Sequence, residues 1–203
     1  MLDILSRSKV IPVIRIDDIQ SALPLAESLI DGGLNVLEIT LRTPVALDAI
    51  KQIKERFPLV SVGAGTVISP LDMQQATEAG ADFCVSPGST TPLIEYATSL
   101  KCNWLPGVAT PSEMMNLFES GFLYQKLFPA DAVGGVKLLK SVAGPLPQIN
   151  FCPTGGINEN SASDYLELNN VVCVGGSWML PAESIEARNW PEIMRLAKIA
   201  SQL

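Results

Sequence analysis

The sequence predicts an α/β fold, a single (β/α)8 barrel spanning residues 1–203. Short runs rich in Val, Ile and Leu alternate with amphipathic stretches, and eight such pairs recur about every 20 to 25 residues. The alternative, a doubly wound open sheet, usually has fewer strands and a glycine-rich turn after the first strand. Here the first strand ends in Arg15-Ile16-Asp17-Asp18, without glycine. We therefore favour the closed TIM barrel.

The elements follow one another regularly along the chain. Prolines at positions 44, 70, 92 and 111 mark helix starts, because proline suits the first turn of a helix. Glycines at 32–33, 80 and 121 mark helix ends, where a left-handed residue is common. The predicted strands cover residues 10–16, 35–43, 60–66, 83–88, 103–109, 123–130, 148–157 and 171–179.

The composition excludes several kinds of function. The 203 residues include 21 acidic and 14 basic side chains, for a net charge of −7. An acidic chain without a basic run offers no surface for nucleic acid or for an anionic membrane. The absence of histidine rules out Ser-His-Asp and Cys-His catalysis and imidazole ligands for a metal. The chemistry must therefore use lysine, arginine, carboxylates, thiols, hydroxyls or the backbone.

The cysteines are typical of a reducing compartment. No two of them have CxxC spacing, which argues against a zinc site, and Cys84, Cys152 and Cys173 lie in apolar runs. We expect them to be small buried hydrophobic residues. The N-terminus lacks an apolar signal core, and no apolar stretch reaches about 18 residues. A cytoplasmic location is therefore predicted.

The second predicted strand has charged residues on one face. Its other face, Leu37, Ile39 and Leu41, is apolar and should pack against helices. Glu38, Thr40 and Arg42 are therefore predicted to point into the barrel, towards the C-terminal strand ends where such barrels have their active sites. A structural alternative is an internal ion pair between Glu38 and Arg42, because a buried charge is costly unless it is paired or functional.

Lys126 differs from the other seven lysines. It alone lies in the middle of a predicted strand, between large apolar neighbours, whereas the others fall in helical patterns or just before strands. Burial disfavours the charged ammonium form and so favours a free amine, which can attack a carbonyl group. The alternative is a lysine that extends along the strand to reach water. The short distance to Pro129 leaves little room for that.

Two glycine-rich strand ends predict a phosphate site. The seventh strand ends in Thr154-Gly155-Gly156, and the eighth in residues 175–177, Gly-Gly-Ser. The loops after these strands often bind phosphate through backbone N–H groups. A side chain introduced at Gly155 or Gly176 should then obstruct the phosphate. Together these residues suggest Schiff-base chemistry on a phosphorylated keto acid.

The order and spacing of four motifs closely resemble one family. The motifs are EITLRT at 38–43, GAGT at 63–66, KLFPA at 126–130 and FCPTGGI at 151–157. They are similar to those of the 2-keto-3-deoxy-6-phosphogluconate (KDPG) aldolases, a family that also includes 4-hydroxy-2-oxoglutarate (KHG) aldolases. The resemblance covers essentially the whole chain. It implies a class I aldolase on a (β/α)8 barrel, without metal or organic cofactor, usually a homotrimer, that forms pyruvate and glyceraldehyde 3-phosphate in the Entner–Doudoroff route.

The resemblance also assigns roles to individual residues. Lys126 is similar to the Schiff-base lysine and Glu38 to the general acid/base. Groups that hold the pyruvate moiety are implied at Arg42, Thr66 and Thr154. Phosphate-binding groups are implied at Gly155, Gly156, Gly176 and Ser177, and Arg15 is a further candidate for binding an anion.

Three other functions agree less well with the sequence. An aldolase for the galactonate epimer shares the barrel and the lysine, but the run at 152–157 favours the gluconate type. A metal-dependent phosphosugar epimerase would need histidine ligands, which are absent. A non-catalytic phosphosugar-binding barrel would need no buried lysine beside a buried glutamate.

Overall fold

A computed structural model describes all residues, 1–203, and gives an α/β fold. The strands are β1 (Val10–Ile14), β2 (Val36–Thr40), β3 (Ser61–Gly65), β4 (Phe83–Val85), β5 (Trp104–Leu105), β6 (Gly107–Val108), β7 (Tyr124–Leu127), β8 (Asn150–Phe151) and β9 (Val174–Gly176). The helices are α1 (Leu2–Leu5), α2 (Ala22–Asp31), α3 (Ala46–Arg56), α4 (Pro70–Glu78), α5 (Thr91–Leu100), α6 (Pro111–Glu119), α7 (Gly135–Ala143), α8 (Glu159–Leu166), α9 (Ala182–Glu186) and α10 (Trp190–Ala200). None of them has both the length and the hydropathy needed to cross a membrane.

The strands pair in parallel in two sheets. A curled six-stranded sheet has the order β5-β4-β3-β2-β1-β9, and a second sheet has the order β6-β7-β8. Isolated parallel bridges, Phe151 to Val171 and Thr154 to Gly175, join the edge of one sheet to the edge of the other. The fifth predicted strand is divided at Pro106, which has no N–H to donate to a neighbour. The α/β class is as predicted, and the closed ring of eight strands stays a prediction.

Local signals in the sequence set most helix ends. Proline occupies the first turn of α4, α5 and α6, as predicted, whereas α3 begins two residues after Pro44. The start of α6 also has a capping box, in which Thr110 and Glu113 each bond to the other's backbone N–H. Gly33, Gly80 and Gly121 follow helices with positive φ angles, as the C-terminal signals predicted.

Buried side chains form two groups on opposite sides of the strands. Leu37 and Ile39 of β2 belong to a large cluster between the strands and the helices. Val36 points the other way, into a cluster of eight buried residues that also includes Leu5 of α1. The predicted alternation along β2 is therefore confirmed, and Glu38 lies on the same inner face as Val36.

The inner face of β3 carries small residues that leave room for large neighbours. Gly63 lies against the ring of Phe83 from β4, and a Cβ at this position would overlap the ring. Gly65, two residues further on, lies against the carboxylate of Glu38 in the same way. Because β3 has no side chain at these two inner positions, it accommodates the Phe83 ring beside Gly63 and the Glu38 carboxylate beside Gly65.

The N-terminal end of the interior is closed by α1. Leu5 is fully buried in the inner cluster. Arg7, just after the helix, donates hydrogen bonds to Ser61 Oγ at 2.7 Å and to the Leu59 carbonyl at 2.9 Å, which attaches this segment to the beginning of β3. The interior beneath Glu38 is therefore filled by apolar side chains.

Candidate active site

Lys126 and Glu38 form a buried ion pair across the interior. Lys126 Nζ donates a hydrogen bond to Glu38 Oε1 at 3.2 Å, and the two side chains are only 6% and 5% exposed. The residues come from β7 and β2, far apart in sequence, so only the fold brings them together. The ring of Phe128, whose centroid is 5.4 Å from Nζ, also contacts the ammonium group. An amine and a carboxylate in contact can exchange a proton directly.

No other lysine has such an environment. Six are exposed, and Lys54 is half-buried in a salt bridge of 2.7 Å with Asp82. The buried thiols are poor alternatives as nucleophiles. Contact with the Cys152 thiol, together with burial, raises the pKa of Cys173 well above its usual value. Lys126 is thus the strongest candidate nucleophile in the interior.

Arg42 is placed differently from the prediction. It lies beyond the end of β2 and is exposed, not buried in the interior with Glu38. Glu38 pairs with Lys126 instead, so the alternative of an internal Glu38–Arg42 ion pair is wrong. The physical reason is that β2 ends at Thr40, whose hydroxyl bonds to the carbonyl of Ile14. Leu41 N–H still donates to the Gly65 carbonyl at 2.8 Å, but Arg42 follows in the loop.

Thr66 has an unusual backbone conformation. It follows β3 directly, is half-buried and has a φ angle of 61°. A left-handed conformation is unfavourable for a β-branched residue, at about 1–3 kcal/mol. Strain of this kind at the C-terminal end of a strand is typical of functional sites.

Thr154 has a buried hydroxyl without a partner. The residue is 6% exposed, and its Oγ1 forms no hydrogen bond within the chain. The hydroxyl lies against Gly175, where a Cβ would overlap it. The contact places Thr154 on the inner side of the strand ends, and the unpaired hydroxyl is available to a ligand. Sequence reasoning missed Gly175, because a glycine in a Gly-Gly pair gives no sign of which face it lies on.

Three free backbone N–H groups lie at the two glycine-rich strand ends. Those of Gly155, Gly156 and Ser177 donate no hydrogen bond within the chain. Gly155 and Gly156 have φ angles of 102° and 80°, which favour glycine. The bridge between Thr154 and Gly175 brings the two ends together. Such a group of donors can bind the oxygens of a phosphate.

Gly176 does not face the interior. A Cβ on this residue would overlap the ring of Trp178, which packs against the large outer cluster. The expectation that a side chain at Gly176 would obstruct a phosphate directly is therefore wrong. Neighbouring residues of a strand face opposite sides, so Gly175 is the residue of β9 that faces the interior. A side chain introduced at position 176 would therefore be directed at Trp178 and not at the mouth.

A cleft of about 300 Å³ opens beside these groups. Arg15, Arg42 and Ser177 are among its lining residues, whereas Lys126 and Glu38 are not. The pair is buried in the interior. Arg15 bonds to the carboxylate of Asp17 at 2.8 to 3.0 Å, and this contact holds the pKa of Asp17 below its usual range. No group of three or more Cys, Asp or Glu side chains that could hold a metal ion is present.

Comparison with known proteins identifies the family. The family model described as "Aldolase: KDPG and KHG aldolase" matches residues 1–196. The chain belongs to the KDPG and KHG aldolase family. The resemblance seen in the four motifs is thereby confirmed. A KHG/KDPG aldolase of Escherichia coli K12 is 47% identical, over 97% of this chain and 92% of the relative.

Solved structures of KDPG aldolases share the fold closely. The enzyme of Legionella pneumophila, with pyruvate captured as a covalent carbinolamine, has a TM-score of 0.97 and 46% identity, covering 98% of this chain and 97% of its own. The enzyme of Zymomonas mobilis ZM4, with 3-phosphoglycerate, has a TM-score of 0.93 and 48% identity, covering 98% and 94%.

Proposed function

We propose that the protein is a class I aldolase that cleaves KDPG to pyruvate and glyceraldehyde 3-phosphate. It should also cleave KHG, which lacks the phosphate, to pyruvate and glyoxylate. The observation that carries the proposal is the buried pair of Lys126 and Glu38, with Nζ and Oε1 separated by 3.2 Å. The pair combines a nucleophile with a proton carrier in one water-poor interior.

The geometry supports a sequence of proton transfers through Glu38. Glu38 takes a proton from Lys126, and the free amine attacks the C2 ketone to give a carbinolamine. Loss of water, with Glu38 supplying the proton, forms the protonated imine. Glu38 then takes the proton of the C4 hydroxyl, the C3–C4 bond breaks, and its electrons move into the imine to give an enamine. The aldehyde is released, Glu38 returns the proton to C3, and water hydrolyses the resulting imine to pyruvate.

The groups around the pair fit the two ends of the substrate. We assign Arg42, Thr66 and Thr154 to the pyruvate moiety. The arginine supplies a positive charge for the carboxylate, and the unpaired Thr154 hydroxyl supplies a hydrogen bond. The phosphate is assigned to the free N–H groups of Gly155, Gly156 and Ser177. Gly176 is assigned to the same strand end, where the space that a side chain would need is occupied by Trp178.

The proposed architecture is a closed eight-stranded barrel that forms one domain over residues 1–203. In support, two bridges connect the β8 region to the β9 region, and β5 continues into β6 through Pro106. A homotrimer and a place in the Entner–Doudoroff route stay predictions from the family resemblance, and a cytoplasmic location stays a prediction from the sequence pattern.

A non-catalytic sugar-phosphate binding protein is the main alternative of a different class. The buried pair argues against it, because burying two charges is costly and phosphate binding at the strand ends does not require it. An aldolase for the galactonate epimer would use the same pair, and the choice between these substrates depends on the groups that contact C4.

Trapping with borohydride tests the proposal. Pyruvate and borohydride together should add one irreversible adduct per chain, on Lys126, measured by mass spectrometry of the intact chain and of its peptides. Lys126→Met should take no adduct, whereas Lys137→Met, which changes an exposed lysine of α7, should take the full amount. A chelator should leave the cleavage rate unchanged. An adduct on another lysine, or none in the wild type, would refute the Schiff-base assignment.

A further inference from the structure

Gly65 occupies an unusual position beside the proposed proton carrier. A Cβ at this residue would lie 2.8 Å from Cγ and 2.9 Å from Cδ of Glu38, and it would overlap Oε1. Oε1 is the oxygen that accepts the hydrogen bond from Lys126. The carboxylate therefore lies in space that any residue other than glycine would fill.

The backbone of Gly65 does not itself require glycine. The residue is the last of β3, it pairs with Thr40 of β2, and its φ angle is not in the left-handed region. An alanine could adopt this extended conformation without strain. Glycine is therefore needed at position 65 to leave space for the Glu38 carboxylate, and not to allow a special backbone conformation.

The overlap would be relieved by movement of Glu38. The atoms in conflict, Cγ, Cδ and Oε1, lie beyond Cβ of the Glu38 side chain, which can change its rotamer while the strand stays in place. Gly63, the other inner glycine of β3, differs in this respect. A Cβ there would overlap the ring of Phe83, which is rigid and 1% exposed, so the surrounding core would have to move.

Resting on the function proposed above, we infer that Gly65 is a positioning residue for the aldolase reaction. Its lack of a side chain admits the Glu38 carboxylate to the place where Oε1 contacts Lys126. A methyl group at position 65 displaces that carboxylate and leaves Lys126 and the phosphate site intact. The substitution therefore impairs proton transfer selectively.

Gly65→Ala should lower the rate of cleavage and the rate of C3 proton exchange of pyruvate together. Displacing a catalytic group by about 1 Å can cost about 10²-fold in rate, and we expect a loss of that size in kcat, with KM changed by less. Borohydride trapping should still reach one adduct per chain. Gly144→Ala is the matched control, because nothing lies within 4 Å of the added Cβ at the end of α7. It should keep wild-type rates.

A second background separates positioning from a general effect on the fold. In Glu38→Gln the carboxylate is already absent, so adding Gly65→Ala should reduce C3 exchange by less than roughly threefold. An equal loss in both backgrounds, or wild-type exchange in Gly65→Ala alone, would overturn the inference while leaving trapping of the wild type unaffected. A wild-type chain that takes no adduct on Lys126 would overturn the proposed function and the inference with it.

Discussion

Glu38→Gln tests the division of roles between the two members of the buried pair. Glutamine keeps the size of the side chain and can still accept a hydrogen bond, but it cannot take up and return a proton as a carboxylate does. Removing a general acid/base typically costs about 10²–10⁴-fold in rate, which corresponds to about 2.7–5.4 kcal/mol of barrier. Cleavage and C3 proton exchange should fall together, because Glu38 is assigned to both transfers.

The stability of the variant follows from the charge that it loses. Glutamine can still accept the hydrogen bond that Oε1 accepts from Lys126 at 3.2 Å, but the buried ammonium is left without its counter-charge, which costs up to about 3–5 kcal/mol. For a chain of this size, each kcal/mol lowers the melting temperature by about 2–4 °C, so a decrease of up to roughly 6–20 °C is expected. The thermal melt therefore shows whether the variant is folded at the assay temperature, so that its lower rate can be interpreted chemically.

The assays are the cleavage rate, deuterium exchange at pyruvate C3 by NMR, borohydride trapping, and a thermal melt of each variant. Glu55→Gln, which changes an exposed carboxylate on α3, is the matched control and should behave as the wild type. Slow but complete trapping of Glu38→Gln is expected, since Lys126 remains. Near-normal C3 exchange in folded Glu38→Gln would refute the reasoning, because Glu38 would then only be a structural partner of Lys126.

Two further predictions concern the phosphate site and the pH dependence of stability. Ser177 is exposed and lines the cleft, so its hydroxyl can donate to the phosphate as its N–H does. Ser177→Ala removes only this hydroxyl and should lower kcat/KM for KDPG about tenfold to a hundredfold, with far less effect on KHG; equal losses on both substrates would contradict the phosphate assignment. Gly176→Val overlaps Trp178 and should lower the melting temperature and both activities. Burial opposes ionisation of Glu113, but hydrogen bonds from backbone N–H groups at the start of α6 outweigh it and hold its pKa below the usual value. The stability that Glu113 contributes is thus present above about pH 4.3 and lost as the pH falls through the lower folded value. Glu113→Gln should therefore lose less melting temperature than the wild type between about pH 6 and pH 3, and an equal loss would contradict this.

The alternation of side chains along strands made the central part of the site predictable. Leu37 and Ile39 identified the outer face of β2, and this placed Glu38 inside. Lys126 was recognisable because a charged residue in the middle of an apolar strand has few ways to reach water. The contact between the two depends on the curvature of the sheet and on the order of its strands, so the sequence pattern alone predicted a shared pocket but not a direct ion pair.

The alternation fails where a strand ends. Arg42 was expected inside because it continues the pattern of Glu38 and Thr40, but β2 stops at Thr40 and the chain turns. The orientation of the glycines was harder to predict, because they have no side chain whose polarity indicates which face of the strand it occupies. Gly65 and Gly175 face the interior and Gly176 faces Trp178, which only the register of the neighbouring strands determines.

The closure of the interior by Leu5 of α1 has a kinetic consequence. Because apolar side chains fill the space beneath Glu38, solvent and ligands reach Lys126 and Glu38 only from the C-terminal ends of the strands. In the proposed mechanism, pyruvate is bonded to Lys126 at the inner end of this path, and the aldehyde carries the phosphate at the outer end. The products should therefore leave in a fixed order, aldehyde first and pyruvate last, and the reverse condensation must begin with pyruvate.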